Sequence, residues 1–458
     1  MRRAVAALVL GGLPRREDHR EHQRMQRSAP YRATKTSATE YDACRHRLGA
    51  AGRRAVLAAG VPEDPAELWT HSGVTAAAER MAEAWAARLG TTPYADEELA
   101  GALEQELGLP ADWARGLPEG RAPAAHHGFV LAGDRGGRLA LHRAAPDGTA
   151  GEWVRITRPD HLETASVIVW ALTERPVGDP VAEGALKLHA ALRAQLADPG
   201  PLVPLGRFAA LARSATADPR FLPYDGAVLP CPQPLLDGAE PSTAVDDGLL
   251  VVAVPSGDVF LRPAALADEG RRARAAGLCD EFGLAWLGER LERTRALFDG
   301  LGRMAARAAG TPVPPGGYEA NPALSAPGLV AGTARALGVG ADAAALYLQL
   351  LALARPTDAA VRRWNGWTAA RHKAAQAELV AVGAVTAGRR ARAGRTAFVP
   401  GEWLEAKAPH LPLEGRKLAA HLASASGKDV YAPFLRLLPP VPLHELFERA
   451  VREAQEAV

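Results

Sequence analysis

Between residues 64 and 110 the apolar positions of the chain recur every three or four residues. In TAAAERMAEAWAARLG, Met81, Trp85 and Leu89 fall at i, i+4 and i+8 with Gly90 behind them, which predicts an amphipathic helix that a glycine ends. DEELAGALEQELGLP repeats the form, with carboxylates in its first turn and a glycine and proline at its exit. After Pro123 the period drops to two. HHGFVLAG, RLALHRAA and EWVRIT alternate around the turn stretches DRGG and PDGTAG, which predicts a three-stranded meander. Helical spacing returns in HLETASVIVWALTERP and DPVAEGALKLHAALRAQLADPG, and GLLVVAVPSGDVFLRP predicts a strand pair about PSGD. The run from Asp268 to Gly310 predicts a long helix broken near Gly283. No fixed period recurs, so a solenoid is not the expected organising plan.

The stretch TPVPPGGYEANPALSAPG, residues 311–328, is dense in proline and glycine and predicts a linker or an ordered strap. Beyond it, ADAAALYLQLLALA predicts a helix with Leu346, Leu350 and Leu351 on one face. Pro356 and Thr357 open a short helix through DAAVRRW, which Asn365 and Gly366 end. Thr368 is placed to cap a third helix, TAARHKAAQAELVAV, and Gly383 to close it in a left-handed conformation. On that helix Ala375, Leu379 and Val382 share a stripe, and Lys373 and Gln376 point away from it. The period then switches to two: Ala384 to Arg390 rise, Ala393 and Gly394 turn, and Arg395 to Val399 return. Three helices followed by a β-hairpin is the element order of a winged helix.

The expected fold class is therefore α+β and predominantly helical, with a C-terminal winged-helix-like module after a small mixed α+β body. The expected segments are a basic, flexible N-terminal arm over residues 1–60 and an acidic α+β body over 61–310, which two subdomains could share. A Pro/Gly linker follows over 311–330, then the winged-helix-like domain over 331–404 and a C-terminal helical tail over 405–458. A chain of 458 residues exceeds one ordinary core, so two or three domains are expected. Its composition, 48% hydrophobic and 23% charged, belongs to globular proteins.

Net charge is +2, but it is unevenly spread. Residues 1–60 carry 13 basic and 5 acidic groups, and residues 355–400 carry 9 and 2. Residues 61–354 hold 25 basic and 37 acidic groups. The chain reads as an acidic body with two basic patches, an asymmetry that bears on partners. Only six of the 54 Lys and Arg are lysines, so arginine fills exposed positions by bias and Arg-rich stretches carry less information. Cys44, Cys231 and Cys279 lie far apart and form no paired spacing, as in a reducing compartment. MRRAVAALVLGGLPRRED opens like a secretion signal, yet no small-residue cleavage site follows. No stretch reaches the ~18 apolar residues of a membrane span, and the expected location is the cytoplasm, with no membrane contact.

The candidate binding residues lie in the C-terminal module. Arg371, Lys373 and Gln376, with His372, sit on the third helix where such folds meet base edges, and Arg389, Arg390, Arg392 and Arg395 on the hairpin where they meet phosphates. An arginine fork can pair two phosphate oxygens at once. The same arginines are equally the solvated outside of a hairpin in a module that mediates protein contacts, and the alanine-rich third helix is poorly equipped to read sequence. Two partners thus stay open: proteins of a complex, or duplex DNA. Trp364, Trp367 and Trp403 flank the patch and could stack on unpaired bases, although closing the edge of a small core is their more usual role.

No catalytic residue, metal or cofactor is singled out, and a hydrolase or transferase in residues 61–309 stays open as a third class, since catalytic groups scattered along a chain leave no spacing signature. LASASGKD has Leu422 where a phosphate loop needs glycine and Asp429 where it needs a hydroxyl. His126 and His127, with His142 and His161, could gather at the meander, but adjacent strand residues face opposite ways. Asp237, Asp246 and Asp247 read as solvated turn residues.

The runs LYLQLLALARPTDAAVRRWNGW, RARAGRTAFVPGEW, KAPHLPLEGRKL and LPPVPLHELFERA, spanning roughly residues 318 to 450, resemble the C-terminal end of large uncharacterised actinobacterial proteins. Some of those are labelled DNA-binding, and they are encoded near MoxR-type AAA ATPases and von Willebrand A-type proteins. The resemblance implies an accessory in such an assembly rather than any reaction.

Overall fold

The structure, a computed structural model, describes residue 52 and residues 54–456 except 71, 90–95, 111, 124–128, 145–149, 154–159, 227, 230–234, 241, 255, 282, 284 and 311. Most of the expected basic arm, and with it Cys44, lies outside the described residues, as do His126, His127 and Cys231. The chain divides into two compact units, Met1–Gly116 and Leu117–Val458.

In the first unit a 3-10 turn, Pro65–Trp69, precedes helices α1 (Gly73–Leu89), α2 (Glu97–Leu107) and α3 (Asp112–Gly116). Helix α2 shows why the spacing was readable. Asp96 caps it by accepting from the Leu99 amide at 2.8 Å, Gly108 leaves it at φ 74°, and Leu99, Leu103 and Leu107 are buried on one face. Each such leucine contributes about 1.5–3 kcal/mol by leaving water.

The second unit is predominantly helical α+β. Strands β1 (Phe129–Gly133), β2 (Leu139–Ala144) and β3 (Ala150–Trp153) form the expected antiparallel meander, two residues earlier at β3 than the alternation suggests. Helices α4 (Asp160–Glu174) and α5 (Pro180–Ala197) follow it and pack together. A five-stranded sheet is built from β4 (Val203–Arg207), β5 (Leu222–Pro223), β7 (Thr243–Asp246), β8 (Leu250–Val254) and β9 (Asp258–Leu261), in the order β4-β9-β8-β7-β5. Helix α6 (Ala209–Ala215) lies between its first two strands in sequence. Strand β6 (Val228–Leu229) joins the first sheet beside β1 in parallel. Only the β8–β9 pair was readable in advance. Leu250, Val251, Val252 and Ala253 are fully buried, the continuous apolar run of a strand covered on both faces.

Helices α7 (Glu269–Glu281) and α8 (Ala285–Ala309) are separated at Gly283, whose φ is 64°. The Pro/Gly stretch after α8 is an ordered strap: Val177 donates to the Gly317 carbonyl and accepts from the Gly316 amide, both at 2.8 Å. A single helical turn, α9 (Pro322–Ser325), and then helix α10 (Pro327–Leu337) follow, before α11 (Ala341–Ala352), α12 (Asp358–Asn365) and α13 (Ala369–Ala381). A hairpin of β10 (Thr386–Ala387) and β11 (Ala397–Phe398) comes next.

Residues 405–458 are not the helical tail that was expected. They complete a second hairpin, β12 (Trp403–Leu404) with β13 (Leu413–Glu414), and carry a short α14 (Lys417–Ala420) and a third hairpin, β14 (Ser424–Ser426) with β15 (Asp429–Tyr431). Only α15 (Leu443–Glu456) is a long helix there. The prolines and glycines of KAPHLPLEG and SASGKD favour turns over helix. LASASGKD accordingly ends in a hairpin tip, with Gly427 at φ 58°.

Helix α11 is the axis of the C-terminal core. Ala343 to Leu346 and Leu348 to Ala352 are all buried, with α10, α13 and α15 packed around them. Val361, Trp364, Trp367, Leu379, Leu446 and Phe447 fill the same core. This core is tied to the preceding helices: Trp364 Nε1 and Arg363 Nη2 donate to Glu174 at 3.2 and 2.7 Å, and Arg307 pairs with Glu319 at 3.0 Å. Among the described residues no single helix is long and apolar enough to cross a membrane.

Candidate functional site: the arginine hairpin and a buried ion triad

Helix α13 begins and ends where its sequence dictates. Thr368 accepts from the Arg371 amide at 3.2 Å, and Gly383 takes a left-handed φ of 72° just past its last turn. Its stripe differs from the expected one at two positions. Ala375 and Leu379 are buried, but Val382 caps the helix and stays 46% exposed, and His372 is buried instead. Gln376 does not point free of the core. It donates to the Thr396 carbonyl at 3.0 Å and accepts from the Thr396 hydroxyl at 3.1 Å, so the hairpin is folded back on the helix. The same hydroxyl reaches Asp358 at 3.0 Å, and His372 Nε2 stands 3.7 Å from that carboxylate. Burial lowers the His372 pKa, with Asp358 opposing.

The arginines have distinct surroundings. Arg371 makes a two-pronged pair with Asp342, Nε at 2.6 Å and Nη2 at 2.8 Å, and lies over the Trp367 ring. Arg390 sits 4.3 Å from the Trp403 ring centroid and 4.6 Å from that of Phe398, two rings that meet edge-on. Arg392 adopts φ 61°, and its guanidinium donates to the carbonyls of Ala406 and His410 at 2.8 and 2.7 Å. Arg395 is buried and donates to Glu414 Oε2 at 2.6 Å. Lys373 and Arg389 are exposed and make no ion pair or hydrogen bond among the described residues. Of the four hairpin arginines expected on phosphates, Arg395 has no surface to offer, and Arg390 and Arg392 hold the hairpin against residues 398–410.

Arg395 leads to a group that sequence reasoning did not single out. Lys417 Nζ lies 2.8 Å from the same Oε2 of Glu414, and all three side chains are only 1% exposed. The lysine approaches off the hydrogen-bonding direction, and Glu414 Oε1 and Arg395 Nε also lack hydrogen-bond partners. Two cations thus share one carboxylate oxygen in a low-dielectric interior, where each ion costs several kcal/mol to desolvate. Burial pushes the Lys417 pKa down to about 7 despite Glu414 beside it. Burial also pulls Glu414 upward, but Lys417 and Arg395 outweigh it and its pKa ends below the usual carboxylate value. One turn on, His421 donates from Nδ1 to the Lys417 carbonyl at 2.9 Å, and burial takes its pKa down to about 4. Glu414, Lys417 and His421 recur at three- and four-residue spacing in LPLEGRKLAAHLA, a run whose remaining residues other than Arg416 are apolar or glycine. That is the signal which could have revealed the cluster.

Trp364 and Trp367 are buried and Trp403 half-buried, so they close core edges. His142 is buried in β2. Asp246 pairs with Arg262, and Asp247 accepts from the amides of Leu249 and Leu250 at 2.8 and 2.7 Å. Among the described residues no group of three or more His, Cys, Asp or Glu could hold a metal ion. Comparison of the chain with protein-family models, with curated proteins and with solved structures returns no match.

Proposed function

We propose that residues 331–404 act as a winged-helix-like module and that the chain is a cytoplasmic, non-enzymatic scaffold or adaptor, joining a multi-protein assembly through that module. Helices α11, α12 and α13 followed by the β10–β11 hairpin support the module assignment. The observation that carries protein over nucleic acid is the internal use of the arginines. Phosphate recognition needs guanidinium forks that are free, whereas Arg395 and Arg392 have theirs engaged within the fold and Arg371 holds Asp342 at the surface. Between the exposed Arg371, Lys373 and Glu378, α13 turns outward Ala370, Ala374, Ala377, Val380 and Ala381, small side chains that another protein can approach closely. An AAA-type ATPase complex is the assembly that the sequence resemblance of the C-terminal third suggests.

The test is affinity purification from native cells, with nuclease treatment, comparing the wild-type chain with an Ala374→Arg, Ala377→Arg variant. Loss of protein partners at unchanged melting temperature supports the proposal. Full retention of every partner refutes it, and partners released by nuclease point to nucleic acid instead.

A further inference from the structure

Trp69, at 89% exposure, is the most exposed large apolar side chain in the described protein. Val61 and Val74, at 58% and 66%, are exposed within the same fourteen-residue stretch. An indole left in water forgoes about 2–3 kcal/mol of burial, so its display needs a reason. Its backbone is held firmly. Asp64 caps the 3-10 turn through the Ala66 amide at 2.9 Å, and Pro65 fixes its first position. Thr70 then closes it: its hydroxyl donates to the Glu67 carbonyl at 2.7 Å and accepts from the Gly73 amide at 3.0 Å. Gly73 admits this closure because a Cβ there would stand 1.6 Å from the Glu67 oxygen. The indole therefore stands on a preorganised platform.

Within its own segment the charge is of one sign, and the guanidinium of Arg80 is engaged on the Gly60 carbonyl at 3.2 Å. Residues 61–74 hold Glu63, Asp64 and Glu67, all exposed, and no lysine or arginine. Such a rim repels phosphates and favours cations, and a tryptophan face is the best aromatic partner for a guanidinium. Aromatic anchors ringed by polar groups are also where protein interfaces concentrate their affinity. We infer that Trp69, with Val61, Val74, Glu63 and Glu67, forms a docking surface for an arginine-bearing, partly apolar peptide segment of a protein partner. It belongs to the first unit and does not rest on the C-terminal module, so either proposal can fail without the other.

The experiment is fluorescence anisotropy of the full-length chain with a fluorescein-labelled peptide of four Arg-Leu repeats. Trp69→Ala is expected to weaken binding about tenfold or more, Trp69→Phe by less, and Glu63→Gln with Glu67→Gln several-fold. A Lys-Leu peptide, lacking the planar fork, should bind more weakly. Unchanged melting temperature shows that each variant is folded, and Leu222→Ala, an exposed apolar position elsewhere, should bind as wild type. Equal binding by wild type and the Trp69 variants, equal binding of a Glu-Leu peptide, or no binding of the Arg-Leu peptide overturns the inference.

Discussion

Arg395 and Glu414, nineteen residues apart, meet at 2.6 Å with both side chains only 1% exposed. The pair joins the β10–β11 hairpin to the strand just before α14, and Lys417 makes it a triad. Removing the one carboxylate strands two cations in the interior. Glu414→Gln should cost about 3–5 kcal/mol in urea unfolding, whereas replacing all three by Met, Leu and Met should cost far less. Near-equal losses for the two variants would show that the triad is not electrostatically coupled.

Lys417 gives stability an unusual pH dependence. Unfolded, it holds its proton to about its ordinary 10.5; folded, it releases it near 7. Between those values the unfolded chain binds more protons, so stability should rise with pH across that window and lie lowest, for this group, below 7. The charged groups facing it are Glu414, Arg395 and Arg416. Lys417→Met should remove the rise, measured as urea midpoints from pH 7 to 10.

His421 works at the acidic end. Its folded pKa near 4 lies below its ordinary 6.5, so the unfolded chain gains a proton first and stability falls as pH drops from 6.5 through 4. Subtracting the profile of His421→Gln from that of wild type should isolate this loss.

Lys373 and Arg389 are the two site cations with no hydrogen-bond or ion-pair partner among the described residues. Were the chain to bind duplex DNA through them, the log-log salt dependence should be no steeper than about −2, at roughly −0.9 per phosphate. A titration between 50 and 200 mM salt giving a slope several times steeper would implicate cations outside this hairpin.

Much of the C-terminal third was legible because its signals are local. Thr368 and Gly383 bracket α13, Gly394 at φ 69° turns the hairpin, and the apolar run of α11 marks a buried helix. The surroundings were not legible. Periodicity places Gln376 off the buried stripe but cannot say that Thr396 folds back onto it. The triad draws Arg395 from one hairpin, Glu414 from the next and Lys417 from the helix after it, with no spacing to announce the meeting of the first with the other two. Strands β5 and β6, two residues each beside prolines, offer no alternation to count. Trp69 carried a helical pattern in sequence, and only coordinates reveal that its indole faces water.

Helix α8 approaches residue 440 so closely that a Cβ on Gly300 would stand 1.9 Å from the Pro440 carbonyl oxygen. Gly300→Ala should therefore cost about 1–3 kcal/mol through overpacking, read from the urea midpoint, although alanine favours an isolated helix.

The clasp between Val177 and residues 316 and 317 makes the Pro/Gly stretch a poor place to cut. A fragment starting at residue 311 would lose both strap bonds and leave Trp364 without its Glu174 acceptor. Expression boundaries, protease sites and domain transplants should be placed outside this seam, because the C-terminal third inherits part of its shape from helices more than a hundred residues upstream.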